Sequence, residues 1–294
     1  MKKRVVALGF FDGVHTGHGA LLEKTRETAE RIGASAAVLT YSRHPSAVVG
    51  KSCVRLINTT YERCVLIREL YGIDDIIVAD FTPEYAAMPC ERFFEETLLG
   101  SLGACHVVAG FDFRFGKSGA GDAETLRRLC AQRGIGCDII DAVTVGGEPV
   151  SSSRIRRCIE MGEMENAAKL LGHNHCIISE ISHGARLGGT MGFPTVNQEL
   201  SKELLLPRFG VYASRVTFEG KSFGGITNIG TRPTVSEVSM PRAETNIFGF
   251  SGDLYGKVIK TELISFVRDE MRFENVGLLR EQIARDVEAV KRLF

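Results

Sequence analysis

The sequence predicts an α/β domain built on a parallel sheet, followed by an antiparallel β-barrel that closes with a helix. Three observations carry this expectation. In the first half, short apolar runs alternate with amphipathic segments: Val5–Phe10, Ser35–Thr40, Asp75–Ala79, Ala104–Ala109 and Cys137–Ile140. Strands that are apolar throughout and separated by helices belong to a parallel sheet covered on both faces. After about residue 172 the runs become short and glycine-broken, at Ile177–Ile181, Gly210–Phe218, Phe223–Ile229 and Val258–Phe266, with no helical pattern between them. That is the pattern of an antiparallel barrel. Finally, Val276, Leu279, Ile283, Val287, Val290 and Phe294 recur at helical spacing, giving a terminal helix one face to pack on the barrel. The expected domains are 1–172 and 173–294.

Individual elements follow from local signals. Leu21, Leu22, Thr25, Ala29 and Ile32 share one helical face, and Gly33 stands where a helix stop is expected. Thr59 and Glu62 have the spacing of a capping box, with Val65, Leu66 and Leu70 behind them and Gly72 as the stop. Pro89–Leu99 and Ala123–Gln132 read as further helices, and Leu170-Leu171-Gly172 closes the first half.

Composition excludes several classes of function. The 294 residues carry 36 basic and 36 acidic side chains, a balance that argues against binding nucleic acid or a membrane surface. No apolar run approaches the roughly 18–20 residues that span a bilayer. Val5–Phe11 is too short and too glycine-interrupted for a signal peptide, and Asp12 follows it. The eight cysteines form no Cys-x-x-Cys pair and read as reduced thiols of a cytoplasmic protein. His173, His175 and Cys176 cluster without a second ligand pair, so they read as structural rather than as a zinc site.

Four constellations carry chemistry. Gly9-Phe10-Phe11-Asp12-Gly13-Val14-His15-Thr16-Gly17-His18 lies between the first strand and the first helix. Its glycines admit close backbone approach, and a helix N-terminus behind them suits phosphate. His15 and His18 add side-chain donors, and no residue there is set up as a covalent nucleophile. Ser151, Ser152, Arg154 and Arg156 combine helix-capping serines with cations that suit a leaving phosphate. Gly188–Asn197 joins a glycine-rich flap containing Gly192 to Thr195 and Asn197, two hard-oxygen side chains suited to Mg²⁺ with ATP phosphates. Glu244-Thr245-Asn246-Ile247 offers a carboxylate, and its role follows from the resemblance below.

Gly9–His18, Thr40–Pro45, Gly110–Lys117 and Ser151–Arg156 together resemble the successive motifs of the FMN adenylyltransferase module of prokaryotic bifunctional riboflavin kinase/FAD synthetases. Gly188–Asn197 and Glu244–Ile247 resemble that family's kinase motifs. Pro207–Tyr212, Gly225–Thr234, Asp253–Gly256 and Arg268–Phe273 follow in the family's order, so the resemblance covers nearly the whole chain.

It implies a Rossmann-like nucleotidylyltransferase domain and a riboflavin kinase-like barrel. Riboflavin is phosphorylated by ATP to FMN, and FMN is adenylylated by a second ATP to FAD and pyrophosphate, with Mg²⁺ as the divalent cation. The implied catalytic residues are Glu244 as general base and His15, His18 and Arg154 at the adenylyl-transfer site. ATP phosphates fall to Gly9, Phe10, Phe11, Asp12, Gly17, Ser151, Ser152, Arg156 and Gly192, and the cation to Thr195 and Asn197. Flavin contacts fall to His44, Asp112, Phe113, Arg114, Phe115 and Arg268. Arg272 stands where the family has lysine. Three further positions, weighing more, depart from the family pattern: Arg43 for proline, Gly189 for arginine and Asn246 for histidine. They support the alternative of a non-catalytic or single-activity flavin- or nucleotide-binding paralogue.

Overall fold

Five parallel strands, β1 (Arg4–Leu8), β2 (Ser35–Tyr41), β3 (Asp75–Ala79), β4 (Ala104–Gly110) and β5 (Gly136–Ile140), line up in the order β3-β2-β1-β4-β5. Val5, Val6 and Ala7 of β1 are fully buried, as a central strand covered on both faces must be. From β1 the chain winds outward through β2 to β3, then returns to place β4 on the other flank of β1. Such a reversal opens a crevice at the carboxyl ends of the two strands. The structure, a computed structural model, describes residues 2–48, 50, 54–182, 193–231 and 240–294.

The helices of this half obey their local signals. α1 (Thr16–Ile32) stops at Gly33, whose φ of 65° is left-handed. α2 (Pro45–Val48) is one turn. α3 (Thr60–Tyr71) starts with the complete capping box: Glu62 N–H donates to Thr59 Oγ1 at 3.2 Å, and Thr59 N–H to Glu62 Oε2 at 2.7 Å. After the short α4 (Pro83–Ala86) and α5 (Cys90–Arg92), the chain widens into a π-helix over Phe93–Ser101, where an ordinary helix was expected. The wider turn brings residues five apart onto one side. Phe93, Phe94 and Leu98 all enter the core with Val6, Leu8 and Val107. α6 (Ala123–Arg133) leads into β5, and a small ribbon, β6 (Thr144–Val145) with β7 (Glu148–Pro149), follows.

The second half closes on itself. β8 (His175–Ser182), β9 (Val196–Glu199), β10 (Gly210–Phe218), β11 (Lys221–Thr231), β12 (Pro241–Ile247) and β13 (Val258–Arg268) form a closed barrel ordered β10-β11-β12-β9-β8-β13. β9 and β12 have too many polar residues to stand out as strands in the sequence. The terminal helix Val276–Lys291 buries Val287 and Val290 against Val211, Ala213 and Ile226.

By compactness the chain divides into Met1–Ser152 and Ser153–Phe294, whereas composition changes near residue 172. Almost all of α7 (Ser152–Met161), and all of α8 (Met164–Leu171), therefore belong with the barrel. The carbonyl of Ile159, for example, accepts a bond from Arg208 N at 3.2 Å.

His175 gives the barrel a pH dependence. It is buried, and its Nδ1 has no partner among the described residues. Burial, assisted by His173, lowers its pKa from 6.5 to about 4. The folded state thus binds this proton less readily than the unfolded chain, so stability present above pH 6.5 is lost as pH falls toward 4. The full loss is about 3 kcal/mol. Urea unfolding midpoints should fall between neutral pH and the pH 4–5 range, and His175→Leu should remove that part of the slope.

Candidate active sites

Residues 9–15 turn the end of β1 into α1. Phe11, Gly13 and Val14 have φ of 59°, 83° and 43°. A β-branched residue is strained there by about 1–3 kcal/mol, and such strain concentrates at functional sites. Full burial of the Phe11 and Val14 side chains holds the turn, as does the 3.0 Å bond from Val14 N to Phe11 O. A Cβ on Gly9 would lie 3.0 Å from the Phe11 ring, which explains the glycine.

His15 caps α1. Its Nδ1 accepts from His18 N at 3.2 Å. An accepting Nδ1 carries no proton, so the bond assigns the proton to Nε2, which is then a donor. The His18 ring stacks on His15, with centroids 3.5 Å and planes 11° apart. Burial, then the neighbouring His15 and Arg63, push the His18 pKa well below its usual value. Two neutral imidazoles and the free amides of α1 therefore share one end of the sheet. Gly17 makes room for them: a Cβ there would lie 3.1 Å from His15 Cε1. The Asp12 carboxylate faces the loop before α3, accepting from Ile57 N at 2.9 Å and Asn58 N at 3.3 Å. The Asp12 carbonyl accepts from Ser152 Oγ at 3.2 Å, which brings the serine motif to the turn. Arg154 and Arg156 follow on α7, in the second compact unit.

The Gly110–Lys117 loop leaves the neighbouring strand end. Phe115 is its anchor, packed in the core and exchanging backbone bonds with Gly121 at 3.0 and 2.9 Å. Phe113 stacks on it at 5.7 Å. Phe111 (54% exposed), Asp112 and Arg114 face solvent, and Arg114 stands 3.7 Å from Asp122. His44 sits edge-on to Phe10 at 4.8 Å, and its Nδ1 accepts from Ser46 N at 3.2 Å. Arg43 is exposed and faces Asp80 at 3.8 Å.

The barrel holds a cavity of about 360 Å³. Register builds one wall: Glu244 of β12 stands directly opposite Asn197 of β9 and Asn228 of β11. Opposed residues project from the same face. Thr195, two residues before Asn197, lines the same cavity as Glu244 and Asn228. Asn197 is buried, and its Oδ1 has no partner among the described residues. Asn246 Nδ2 donates to Pro194 O at 2.8 Å, tying the Phe193–Thr195 segment to β12.

Arg268 and the terminal helix form the facing wall. Arg268 Nε and Nη2 meet Asp286 Oδ2 at 2.8 and 2.7 Å, and Gln282 Nε2 donates to Asp286 Oδ1 at 2.8 Å. Glu270 covers Gly230, where a Cβ would lie 2.1 Å from its Oε1. Asn228, Glu270 and Asp286 line the cavity although no motif assigned them a role; only strand register and helix docking bring them there. Gly188, Gly189 and Gly192 lie outside the described residues.

Known proteins match this arrangement. Family models described as FAD synthetase and riboflavin kinase match residues 1–154 and 171–294. The bifunctional riboflavin kinase/FMN adenylyltransferase of Bacillus subtilis is 36% identical over 296 residues, covering 99% of this chain and 93% of that one. The protein of the same name from Listeria monocytogenes is 33% identical over 293 residues, covering 99% and 92%. A crystal structure titled as a macrolide-efflux protein from Streptococcus pneumoniae has a TM-score of 0.85 at 28% identity, covering 99% of this chain and 94% of that one. Efflux is that protein's title alone; here, no helix among the described residues is long and apolar enough to cross a membrane. Two compact units, each matched by its own family model and both spanned by full-length relatives, place this chain in the bifunctional riboflavin kinase/FMN adenylyltransferase family.

Proposed function

We propose a division of labour by residue for the two activities of this family, phosphorylation of riboflavin and adenylylation of FMN. The observation that carries the kinase half is the cross-strand row Asn228–Glu244–Asn197, whose buried Asn197 Oδ1 has no partner among the described residues. Glu244 orients the riboflavin 5′-hydroxyl and accepts its proton as the oxygen attacks the γ-phosphorus of ATP, the bond from the γ-phosphorus to the bridging oxygen breaks and ADP leaves. The Thr195 hydroxyl and the Asn197 amide oxygen, the latter buried and without a partner among the described residues, are hard donors that would fit Mg²⁺. The cation, when bound, neutralises phosphate charge. Arg268, braced by Asp286, borders the flavin, with Gly192 on the flap side by motif.

In the first unit, a phosphate oxygen of FMN attacks the α-phosphorus of ATP and pyrophosphate leaves, without a covalent enzyme intermediate. Catalysis is positioning and charge stabilisation. His15 Nε2, His18 and the α1 amides near Gly17 meet the triphosphate. Gly9, Phe10, Phe11 and Asp12 shape the turn, with Ser151 and Ser152 beside it. Arg154 and Arg156 are assigned to the phosphates on the motif alone. His44, Asp112, Phe113 and Arg114 meet FMN, with Phe115 as the loop's anchor. The reaction takes place in the cytoplasm, where ATP is supplied and the free thiols stay reduced.

Incubation with riboflavin, ATP and Mg²⁺, followed by separation of flavins, tests this. Wild-type protein should yield FAD. Glu244→Gln should lower FMN formation by about 10²-fold or more and leave conversion of supplied FMN to FAD intact. His18→Ala should lower adenylylation by about 10²–10³-fold and leave riboflavin phosphorylation intact. Loss of both activities from either substitution in a folded protein would overturn the two-site assignment, and no flavin product from wild-type protein would overturn catalysis altogether.

A further inference from the structure

Three side chains around the nucleotide turn keep buried polar atoms without partners among the described residues. They are Nδ1 of His18, both amide atoms of Asn58, and Nε and Nη1 of Arg63. Asn58 is 1% exposed and Arg63 0%, and no motif marks either. Both are tied to the turn. Asn58 N–H donates to Asp12 Oδ1 at 3.3 Å. Arg63 lies with its Cζ 4.3 Å from the centre of the Phe10 ring, and its charge reaches His18.

The rest of the guanidinium is fixed. Nη2 donates to Tyr41 O at 2.6 Å and approaches Thr60 Oγ1 at 3.4 Å. The capping box of Thr59 and Glu62 sets the turn of α3 from which Arg63 projects. Burial lowers the Arg63 pKa, and only the proximity of Asp12 and Cys64 works against it.

Asp12, Tyr41 O and the Phe10 ring meet part of this guanidinium, and Nε and Nη1 are left without partners among the described residues. A methionine would fill the volume and lie on Phe10 without desolvating a cation. A polyanion would meet the remaining charge. A triphosphate at the N-terminus of α1 sits over this cation, and a field in a low-dielectric interior is weakly screened. The Nε and Nη1 donors of Arg63, without partners among the described residues, leave part of its charge uncompensated beside the turn.

We propose that Arg63 is a positioning residue for ATP: from beneath Phe10 its fixed charge, with the Asn58 amide beside the same turn, draws the triphosphate onto His15–His18. This rests on the adenylyl-transfer reading of that turn. It gives the site a specific requirement for the polyphosphate of one substrate and not for the flavin of the other.

The test uses full-length Arg63→Lys, Arg63→Met and Asn58→Ala. KM is measured separately for ATP and FMN in adenylylation, and ATP and pyrophosphate are titrated calorimetrically. Circular dichroism and the thermal unfolding midpoints of the same preparations report whether the first unit is folded, since riboflavin phosphorylation reports the second unit alone. Arg63→Met should raise KM for ATP about tenfold or more, weaken pyrophosphate similarly and leave KM for FMN within about twofold. Arg63→Lys should restore most of the loss, because the charge is what matters. Asn58→Ala should raise KM for ATP severalfold, and serves if Arg63→Met does not fold. Equal behaviour of the Lys and Met variants, an equal rise in both KM values, or an unchanged ATP KM in Asn58→Ala would overturn the inference. Wild-type protein that makes no FAD from FMN would overturn the adenylyl-transfer reading instead. The titrations would then decide on Arg63 alone, equal affinities of wild type and Arg63→Met counting against it.

Discussion

Val5, Val6 and Ala7 of β1 have no solvent exposure, and a strand covered on both faces can offer a ligand nothing but its end. The adenylyl-transfer site proposed above obeys that constraint. β1 pairs with β2 on one side and β4 on the other, Leu8 lying level with Leu39 and with Ala109. The turn after β1 and the loop after β4 therefore emerge side by side. In the first, a strained turn delivers the chain directly into α1, with His15 as its cap, a form suited to the phosphate role proposed for it. In the second, Phe115 is held in the core while Phe111, Asp112 and Arg114 stay accessible, as the flavin contacts proposed for this loop require.

The barrel solves a different problem. A closed sheet has no free end of a buried strand, so its chemistry depends on which residues oppose each other across neighbouring strands. β12 lies between β11 and β9, and that order aligns Asn228, Glu244 and Asn197. Their separation in sequence is irrelevant once register is set, and a slip of β12 by one residue would turn Glu244 to the other face, away from Asn228 and Asn197. The facing wall is held by the buried Arg268–Asp286 pair. Such a pair adds little net stability over apolar packing but is costly to break, so it fixes where the terminal helix sits.

The departures from the family pattern acquire physical roles where they are described. Asn246 cannot titrate, but its amide secures the carbonyl of Pro194 beside Thr195, a positioning task that an amide performs without a proton. Arg43 extends to the surface toward Asp80, away from the edge contact between His44 and Phe10. Neither substitution touches the groups assigned to proton or phosphate handling. They thus give little support to a non-catalytic paralogue.

By itself the sequence determined the fold class, most helix limits and both activities. Periodicity reports burial directly, glycine stops and capping boxes act within a few residues, and the ordered motifs are contiguous stretches. The tertiary structure decided what depends on residues far apart. It showed β9 and β12 as strands, since polar side chains that face a cavity break the apolar pattern. It moved α7 and α8 to the barrel, since packing rather than composition assigns a helix to a core. It widened Phe93–Ser101 into a π-helix to seat three side chains at once. It also brought Arg63 and Asn58 beneath the turn and Asp286 against Arg268, because burial and pairing across the chain leave no mark in local sequence.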